Sequence, residues 1–364
     1  MSEKWNPKLQ AAYASSRTNF CVVLSELQYD DPFSAILYYD GTLAQPWGRV
    51  DVQREMTAIV AEPSTAAGAG AYVALSNEGE VYFNKPSLRQ ELIPGAGAQR
   101  PGGRGPLHAL ATYQGELLAV GTGGQIYRRH ADSWVALDPK ITPPAGYMQP
   151  GYAAVGVVDD ELYLCGSVLA DTQPYDVTRD PAYSDSMDVD ALTQLFLKNA
   201  NRQGQGPNPA GFAVHFDGAR WLDLAMHDLR AITAVFAESR SNIWMVGPSG
   251  LILVGNAKQG FQNRSAAADR NLNFLSITKF KDRIILASDH GLHSFDGRRL
   301  SLIKPKLRQS RYPSVPTPVK VQAVGDVMFY FDYANHIHRW DGKDWEEIVI
   351  PPQLLERQFR GLAP

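Results

Sequence analysis

Three closely spaced aspartates, Asp185, Asp188 and Asp190, are the first residues of this 364-residue chain whose type and spacing suggest chemistry, because clustered carboxylates can hold calcium. Their spacing does not follow the EF-hand loop. The glycine and the bidentate glutamate that such a loop requires are also missing from the positions that follow. The cluster therefore predicts an acidic surface and not a calcium site.

Two pairs of histidines raise the question of zinc. His336 and His338 alternate along one predicted strand, and His290 and His293 lie one repeat earlier. Zinc takes three or four protein ligands, and neither pair has further ligands that converge on it in the sequence. We therefore expect these histidines to serve the hairpins in which they lie.

The glycine-rich segment 95–105 resembles a phosphate-binding loop in its glycine content alone. It lacks the Gly-Lys-Ser or Gly-Lys-Thr ending, and no helix opens after it. The segment is therefore interpreted as a flexible connection between repeats, in which Arg100 and Arg104 could contact an anion.

Nucleophilic catalysis has no candidate in the sequence. There is no Gly-x-Ser-x-Gly elbow, and neither Cys21 nor Cys165 has a neighbouring histidine that would activate its thiol. Both cysteines lie in apolar runs of different repeats, which predicts two buried free thiols and no disulfide. No catalytic residue, metal or cofactor is predicted.

Composition argues against two classes of partner. The chain has 35 Lys and Arg against 38 Asp and Glu, a net charge of −3, whereas nucleic-acid binders carry a basic excess. No apolar run approaches the roughly 18 residues of a membrane span, and the N-terminus has no apolar signal-peptide core. These features predict a cytoplasmic protein that binds neither nucleic acid nor membrane.

The elements that must position these residues repeat along the chain. The hexapeptide FDGARW at 216–221 returns as WDGKDW at 340–345 and, with Leu in place of Trp, as FDGRRL at 295–300. Asp-Gly between apolar runs is a strong hairpin signal, because a tight primed turn needs a positive φ. Asp296 and Asp341 are 45 residues apart, which is the spacing of a repeat architecture.

Each repeat contains four short apolar runs, and the chain holds seven repeats. Four antiparallel strands in about 40–45 residues are typical of a β-propeller blade. The sequence therefore predicts one all-β domain over residues 1–364, a seven-bladed β-propeller of four-stranded antiparallel blades. The second strand of each blade carries small residues, which close packing of blades near the axis would favour. Four tryptophans are expected to fill the wedges between blades: Trp134, Trp221, Trp244 and Trp345.

These repeats resemble the YVTN/WD40-like and kelch-like propeller superfamily over nearly the whole chain. Trp340-Asp341 is a literal Trp-Asp pair, without the Gly-His partner of WD40 blades, and the Asp-box pattern of sialidase-type propellers is absent. Bacterial propellers of this kind act mostly as binding scaffolds, and some resemble cytoplasmic immunity proteins encoded beside secreted toxins. The resemblance therefore implies binding of another protein.

Residues 169–210 interrupt the fourth blade and resemble no other repeat. Their six aspartates oppose three cations, so this partly helical insertion has a net charge of −3. A helix is predicted from about Met187 to Ala200, with Ser186 as its N-cap and an apolar face. An acidic protrusion of this kind could bind a basic partner, and the alternative is a solvated loop whose helix covers the blade edge.

The sequence thus predicts a monomeric, non-enzymatic immunity protein that neutralises a toxin by occlusion, its partner a protein with a basic domain. The predicted partner-binding residues lie in the insertion: Tyr175, Asp176, Arg179, Tyr183, Asp185, Asp188 and Asp190. Two alternatives stay open, namely a hydrolase or lyase with its site at the central channel, and a structural scaffold or adaptor in a larger assembly.

Overall fold

The computed structural model describes residues 5–26, 31–63, 70–85, 87–137, 139, 141–143, 145–169, 182–184, 186–195, 209–226, 230–304 and 318–357. Its strands form seven four-stranded antiparallel sheets, each built from four consecutive strands. The predicted seven-bladed propeller is therefore confirmed. Within these residues no helix is long and apolar enough to span a membrane.

The strands are numbered in chain order, four to a blade. The first three blades are β1 Lys8–Ala14, β2 Asn19–Glu26, β3 Phe33–Asp40, β4 Trp47–Val52; β5 Met56–Ala61, β6 Tyr72–Ser76, β7 Glu80–Phe83, β8 Arg89–Leu92; and β9 Leu107–Tyr113, β10 Glu116–Gly121, β11 Ile126–His130, β12 Ser133–Ala136. The fourth is β13 Gly151–Val158, β14 Glu161–Val168, β15 Ala210–Phe216, β16 Trp221–Asp223. The last three are β17 Ala234–Ser239, β18 Asn242–Gly247, β19 Leu251–Asn256, β20 Gly260–Asn263; β21 Phe274–Phe280, β22 Arg283–Ser288, β23 Gly291–Phe295, β24 Leu300–Ile303; and β25 Pro318–Val324, β26 Val327–Asp332, β27 Ile337–Trp340, β28 Trp345–Ile348.

The core is divided among the seams between blades. Each of seven clusters of buried apolar side chains draws on two neighbouring blades, and the seventh blade shares one with the first. Second strands are buried on both faces because a blade packs on each side, so they appear as continuous apolar runs such as that of β2. Trp134 is buried in its seam, whereas Trp221, Trp244 and Trp345 are half-buried against theirs.

The two cysteines are free and buried, as predicted. Cys21 lies in the seam between the first and second blades, and Cys165 in that between the fourth and fifth. Burial raises the pKa of both thiols, because no charged group stabilises the thiolate. Both side chains therefore act as small apolar core residues.

The ring closes between the first and seventh blades without exchange of a strand. The N-terminal strand β1 is the innermost strand of the first blade, and it packs beside the innermost strand β25 of the seventh. Phe20 meets Phe329 and Phe331 across this seam at ring-centroid distances of 5.6 and 5.9 Å. The chain after β28 covers the same seam, because Arg49 donates hydrogen bonds of 2.8 Å to the backbone oxygens of Leu354 and Glu356.

The two faces of the ring differ because antiparallel strands alternate in direction. The first strands begin and the second strands end at one face, here called the upper face, which therefore carries the connections from second to third strands and from blade to blade. The opposite, lower face carries the Asp-Gly hairpins. In three of these, Gly218, Gly297 and Gly342 have φ of 95, 96 and 99°, and the preceding aspartate accepts two backbone N–H bonds.

Candidate protein-binding face

Long connections are concentrated at the upper face. On the lower face, β10 follows β9 and β22 follows β21 through two-residue turns. On the upper face, long connections separate consecutive strands from Leu92 to Leu107, from Ala136 to Gly151, and from Val168 to Ala210. Loops on a rigid scaffold are the usual carriers of binding function, which makes the upper face the candidate site.

The glycine-rich connection 95–105 is held by two glutamates of the second blade. Both oxygens of the Glu78 carboxylate accept backbone N–H bonds, from Ala98 at 3.1 Å and from Gln99 at 3.0 Å. Buried Glu80 pairs with Arg100 at 2.5 Å and with Arg54 at 2.7 Å. Since these donors already have anionic partners, the segment is not a phosphate-binding loop, and Arg100 is not available to an external anion.

The glycine-rich loop is also held together by hydrogen bonds within its own backbone. Gly97 and Gly105 form a two-way backbone bridge, with both N–H···O bonds at 3.1 Å. Burial alone would raise the pKa of Glu80, but hydrogen bonds from Ser76 and Arg54 outweigh it and hold that pKa below its ordinary value. The carboxylate is therefore charged, and it fixes one end of the loop.

A cavity of about 350 Å³ opens between the third and fourth blades on this face. Its walls are Arg104, Gly123, Gly124, Pro139, Ile141, Gln149, Pro150 and Tyr152. The Arg104 guanidinium is exposed and donates a long bond of 3.4 Å to the Gly123 carbonyl. A mostly polar cavity with one such cation could accept a carboxylate-bearing side chain of a partner. The sequence marked Arg104 as a possible anion contact but gave no sign of the cavity.

The insertion begins beside this cavity. The Met148 N–H donates a bond of 2.8 Å to the Leu169 carbonyl, which joins the wall of the cavity to the root of the insertion. Both side chains are exposed, Met148 to 52% and Leu169 to 51%. An apolar surface therefore accompanies the acidic one.

The predicted helix is present over residues 189–195, and residues 196–200, to which it was predicted to extend, lie outside the described ranges. Its N-cap was predicted wrongly. Asp188 and not Ser186 caps it, because the Asp188 carboxylate accepts the Ala191 N–H at 2.7 Å. The Ser186 hydroxyl instead pairs with Ser184 at 2.8 Å, in a turn that precedes the helix. The apolar stripe is divided, since Leu195 is buried and Val189 is 78% exposed.

The predicted partner-binding residues are only partly within the described ranges. Asp188 and Asp190 are exposed on the helix, and Tyr183 is half-buried just before it. Four of them, Tyr175, Asp176, Arg179 and Asp185, lie outside the described residues. Asp188 is engaged as a helix cap, and the described residues, which do not include Asp185, contain no group of three potential metal ligands.

His336 and His338, the two histidines of the seventh blade, contact residues of their own blade. His338 is buried between the rings of Tyr330 and Trp345, at centroid distances of 5.7 and 6.4 Å. His336 is more exposed, with its Nδ1 3.8 Å from Asp332. Burial lowers the pKa of His338 to about 4, so this imidazole is neutral at neutral pH.

The sequence analysis missed a charge pattern at the connection between the sixth and seventh blades. Residues 297–325 contain seven Lys and Arg and no Asp or Glu. Arg298 and Arg299 lie on the lower-face hairpin before β24, and Lys320 lies in β25. The other four fall in the sequence between β24 and β25, of which residues 305–317 lie outside the described ranges, whereas the acidic insertion leaves the fourth blade. A running sum of charge along the chain would have revealed both.

It also missed a channel residue, Lys320. In six blades the first strand has a bulge near its start. The residue that follows the bulge pairs with an equivalent residue of the second strand in each blade, so these positions can be aligned from blade to blade. Five blades have alanine at the position of Lys320, namely Ala11, Ala58, Ala109, Ala154 and Ala234, and the sixth has Ser276. A blade-to-blade alignment of first strands would have found this substitution.

Comparison with known proteins supports the fold and leaves the family open. No family model matches the chain, and no curated protein shows significant sequence similarity to it. Among solved structures, the WD40 β-propeller domain of Doa1 is similar with a TM-score of 0.58 and 8% identity, covering 94% of this chain and 95% of that one.

Two structures of YCF48 are also similar. YCF48 bound to D1 peptide has a TM-score of 0.54 and 13% identity, with 93% of this chain and 95% of that chain covered. YCF48 from Cyanidioschyzon merolae has a TM-score of 0.55 and 11% identity, with 92% and 96% covered. At these identities the likeness concerns the WD40-type propeller fold alone.

Proposed function

We propose that this chain is a non-enzymatic propeller that binds another protein on its upper face, with the insertion 169–210 as its recognition arm. The observation that carries the proposal is the concentration of long connections at the upper face, where Met148, Leu169 and Val189 are exposed. The lower face instead carries short turns whose aspartates are occupied by backbone N–H groups.

The charge pattern predicts a partner with two kinds of surface. It is basic where it meets Asp190 and the other aspartates of the insertion, and acidic where it meets the blade six to seven connection around Lys304. Opposed charges at two places on a face fix the orientation of a partner and accelerate encounter. Met148, Leu169 and Val189 would supply apolar contact beside the acidic region.

The finer proposal is a cytoplasmic immunity protein that neutralises a toxin by covering its active surface. A ring face with a projecting arm is suited to occlusion, because it buries a broad area without catalysis. YCF48 with its bound D1 peptide illustrates that a propeller of this shape can hold a polypeptide. The fold is common to many functions, so the partner has to be identified by experiment.

We expect the gene beside that of this chain to encode a toxin-domain protein, and the test is capture of that protein. Wild-type protein and a variant with 170–208 replaced by a short Gly-Ser turn are compared in a pull-down, and inhibition of the toxin is measured. We expect the deletion to abolish both and to leave the melting temperature of the ring near that of the wild type. Unchanged capture by the deletion variant would refute the assigned interface.

Charge variants refine the same test. Asp190→Lys should weaken capture, because Asp190 is exposed, and the effect should shrink in high salt. Asp188→Asn removes a charge but keeps a residue that caps helices well, so a loss there reports charge and not helix formation. Asp344→Lys, an exposed charge change on the lower face, is the matched control and should leave capture intact.

One observation favours the enzyme alternative enough to test it. His108 and Lys320 lie on first strands at the channel, which is where a propeller enzyme would place its site. Elemental analysis that found calcium or zinc in stoichiometric amount would favour this alternative over partner binding. A stable complex with a housekeeping protein, and none with a toxin, would instead favour the scaffold.

A further inference from the structure

Lys320 faces the central channel. It is the third residue of β25, which is the innermost strand of its blade, and neighbouring blades pack on both faces of that strand. Its side chain is nevertheless exposed to solvent. The sheet and two seams close the lateral directions, so a side chain at such a place reaches solvent along the channel or at its upper mouth, where β25 begins.

The seam geometry agrees with this placement. In the preceding blade, Ser276 occupies the equivalent position, and its hydroxyl bonds to the backbone of Val321 at 3.2 and 3.3 Å. The residue at this position thus projects toward the innermost strand of the next blade. By its register Lys320 is directed toward β1, and a lysine side chain is long enough for its ammonium to extend past that strand toward the channel.

The charge of Lys320 has no ion-pair partner among the described residues. The other charged side chains of the first strands are engaged, because Glu238 pairs with Lys279 at 2.6 Å and Lys8 lies 5.6 Å from the ring of Tyr333. The chain on either side of Lys320 offers no carboxylate from 297 to 325. Burial among the surrounding strands lowers the pKa of Lys320, which agrees with a group that water reaches but protein encloses.

A second channel group is uncharged. His108, the bulged residue of β9, is also exposed, and its Nε2 lies 2.8 Å from the Thr122 hydroxyl. Burial lowers the pKa of His108, so at neutral pH this imidazole adds a polar contact and no charge. An enclosed ammonium without a counter-charge is costly, and an anion from solution would offset that cost.

We propose that the upper part of the central channel is a binding site for an oxyanion, a carboxylate or phosphate group, held by the Lys320 ammonium. The site goes beyond the proposed protein-binding function and does not depend on it. The chemistry is that of a point charge among closely packed strands, where an ion pair is stronger than at the open surface. The ligand is a free small anion or an anionic group of a larger molecule that enters the channel.

The test uses the isolated protein, so its result is separate from that of the partner-binding experiment. Lysines are acetylated with limiting N-hydroxysuccinimide acetate, and the rate at each lysine is read by mass spectrometry. With about 20 mM inorganic phosphate, and in parallel about 20 mM succinate, we expect labelling of Lys320 to slow about tenfold relative to chloride of equal ionic strength. Exposed Lys343, on a lower-face hairpin, is the internal control and should not change.

The two anion arms separate the sources, because protection by phosphate alone indicates a phosphate ligand and protection by succinate alone a carboxylate. Lys320→Ala should fold, since alanine stands at this position in five blades. The same anion should raise the melting temperature of the wild type and not of Lys320→Ala. Equal labelling rates with and without both anions, or an equal thermal shift in the variant, would overturn the proposal.

Discussion

The side-chain amide of Gln322 forms two hydrogen bonds with the backbone of Ala14, which lies 308 residues away in sequence, and both bonds are 2.9 Å long. Gln322 donates to the Ala14 carbonyl and accepts from the Ala14 N–H. The same relationship joins the sixth and seventh blades, where the Thr278 hydroxyl accepts the Ala323 N–H at 3.1 Å. In both cases a side chain of one innermost strand bonds to backbone groups of the neighbouring blade's innermost strand, which has no strand paired to its channel-facing edge.

The first prediction concerns this closure of the ring. Gln322→Leu keeps a side chain of similar size but leaves the Ala14 N–H and carbonyl without partners, which should cost about 2–4 kcal/mol of unfolding free energy. Chemical denaturation at neutral pH measures the loss. Gln90→Ala, on the exposed outer strand of the second blade, should change the free energy by less than about 0.5 kcal/mol. Equal effects of the two variants would show that the closing bonds contribute nothing.

The second prediction compares two glycines of one loop. Gly97 has φ +95°, and a Cβ there would lie 2.4 Å from the Glu78 carboxylate and 3.0 Å from its backbone oxygen. Gly102 has φ +73° and open space around it. Gly102→Ala should therefore cost about 1 kcal/mol for the backbone conformation alone, and Gly97→Ala at least about 2 kcal/mol because Glu78 must move. Thermal unfolding of both variants tests the order, and equal losses would contradict it.

The third prediction is a pH dependence that arises from buried His338. Its folded pKa of about 4 lies below the unfolded value of 6.5, so the unfolded chain binds more protons between these values. The contribution of neutral His338 to the free energy of unfolding is therefore fully present above pH 6.5. It declines as the pH falls toward 4, by on the order of 2–3 kcal/mol.

His338→Phe should keep the ring packing and make the melting temperature fall less steeply between pH 7 and pH 4.5 than in the wild type. Asp332, whose pKa burial raises, acts in the opposite sense, but both proteins retain it, so the difference isolates His338. Parallel pH profiles for the two proteins would exclude this role.

The fourth prediction separates the two sides of the insertion helix. Leu195→Ala should loosen the packing of the helix, because Leu195 is 7% exposed, and should speed limited proteolysis within the insertion. Val189→Ala removes a side chain that is 78% exposed and should leave proteolysis unchanged while weakening partner capture. A Val189→Ala protein that is cut faster than Leu195→Ala would reverse the assigned sides.

The sequence predicted the architecture well because the hairpin signal is local and periodic. Asp217, Asp296 and Asp341 occupy equivalent turns, where backbone N–H groups lower the pKa of each carboxyl. Inner strands were harder to read. The innermost strand of the first blade is not evident in the sequence, because β1 lacks a flanking hairpin signal and its alternation is broken by a bulge at Gln10.

Contacts distant in sequence were not predictable. The small residues of second strands were assigned to packing between blades, but a Cβ at Gly166 would meet the backbone of Gly151 in its own blade at 1.8 Å. Likewise, Glu78 and Glu80 fix the glycine-rich loop through the fold and not through a local motif. The cavity at Arg104 and the unpaired charge of Lys320 also depend on which strands meet around the axis.

Each blade is complete in itself, since no sheet borrows a strand from the opposite end of the chain. Gene duplication or loss could therefore add or remove one whole unit without leaving an orphan strand, and new ends could be made at any of the seven seams. Force applied to the two ends would part the existing seam by separating side chains, with every sheet left intact. Under such force the ring should open between the first and seventh blades before any blade unfolds.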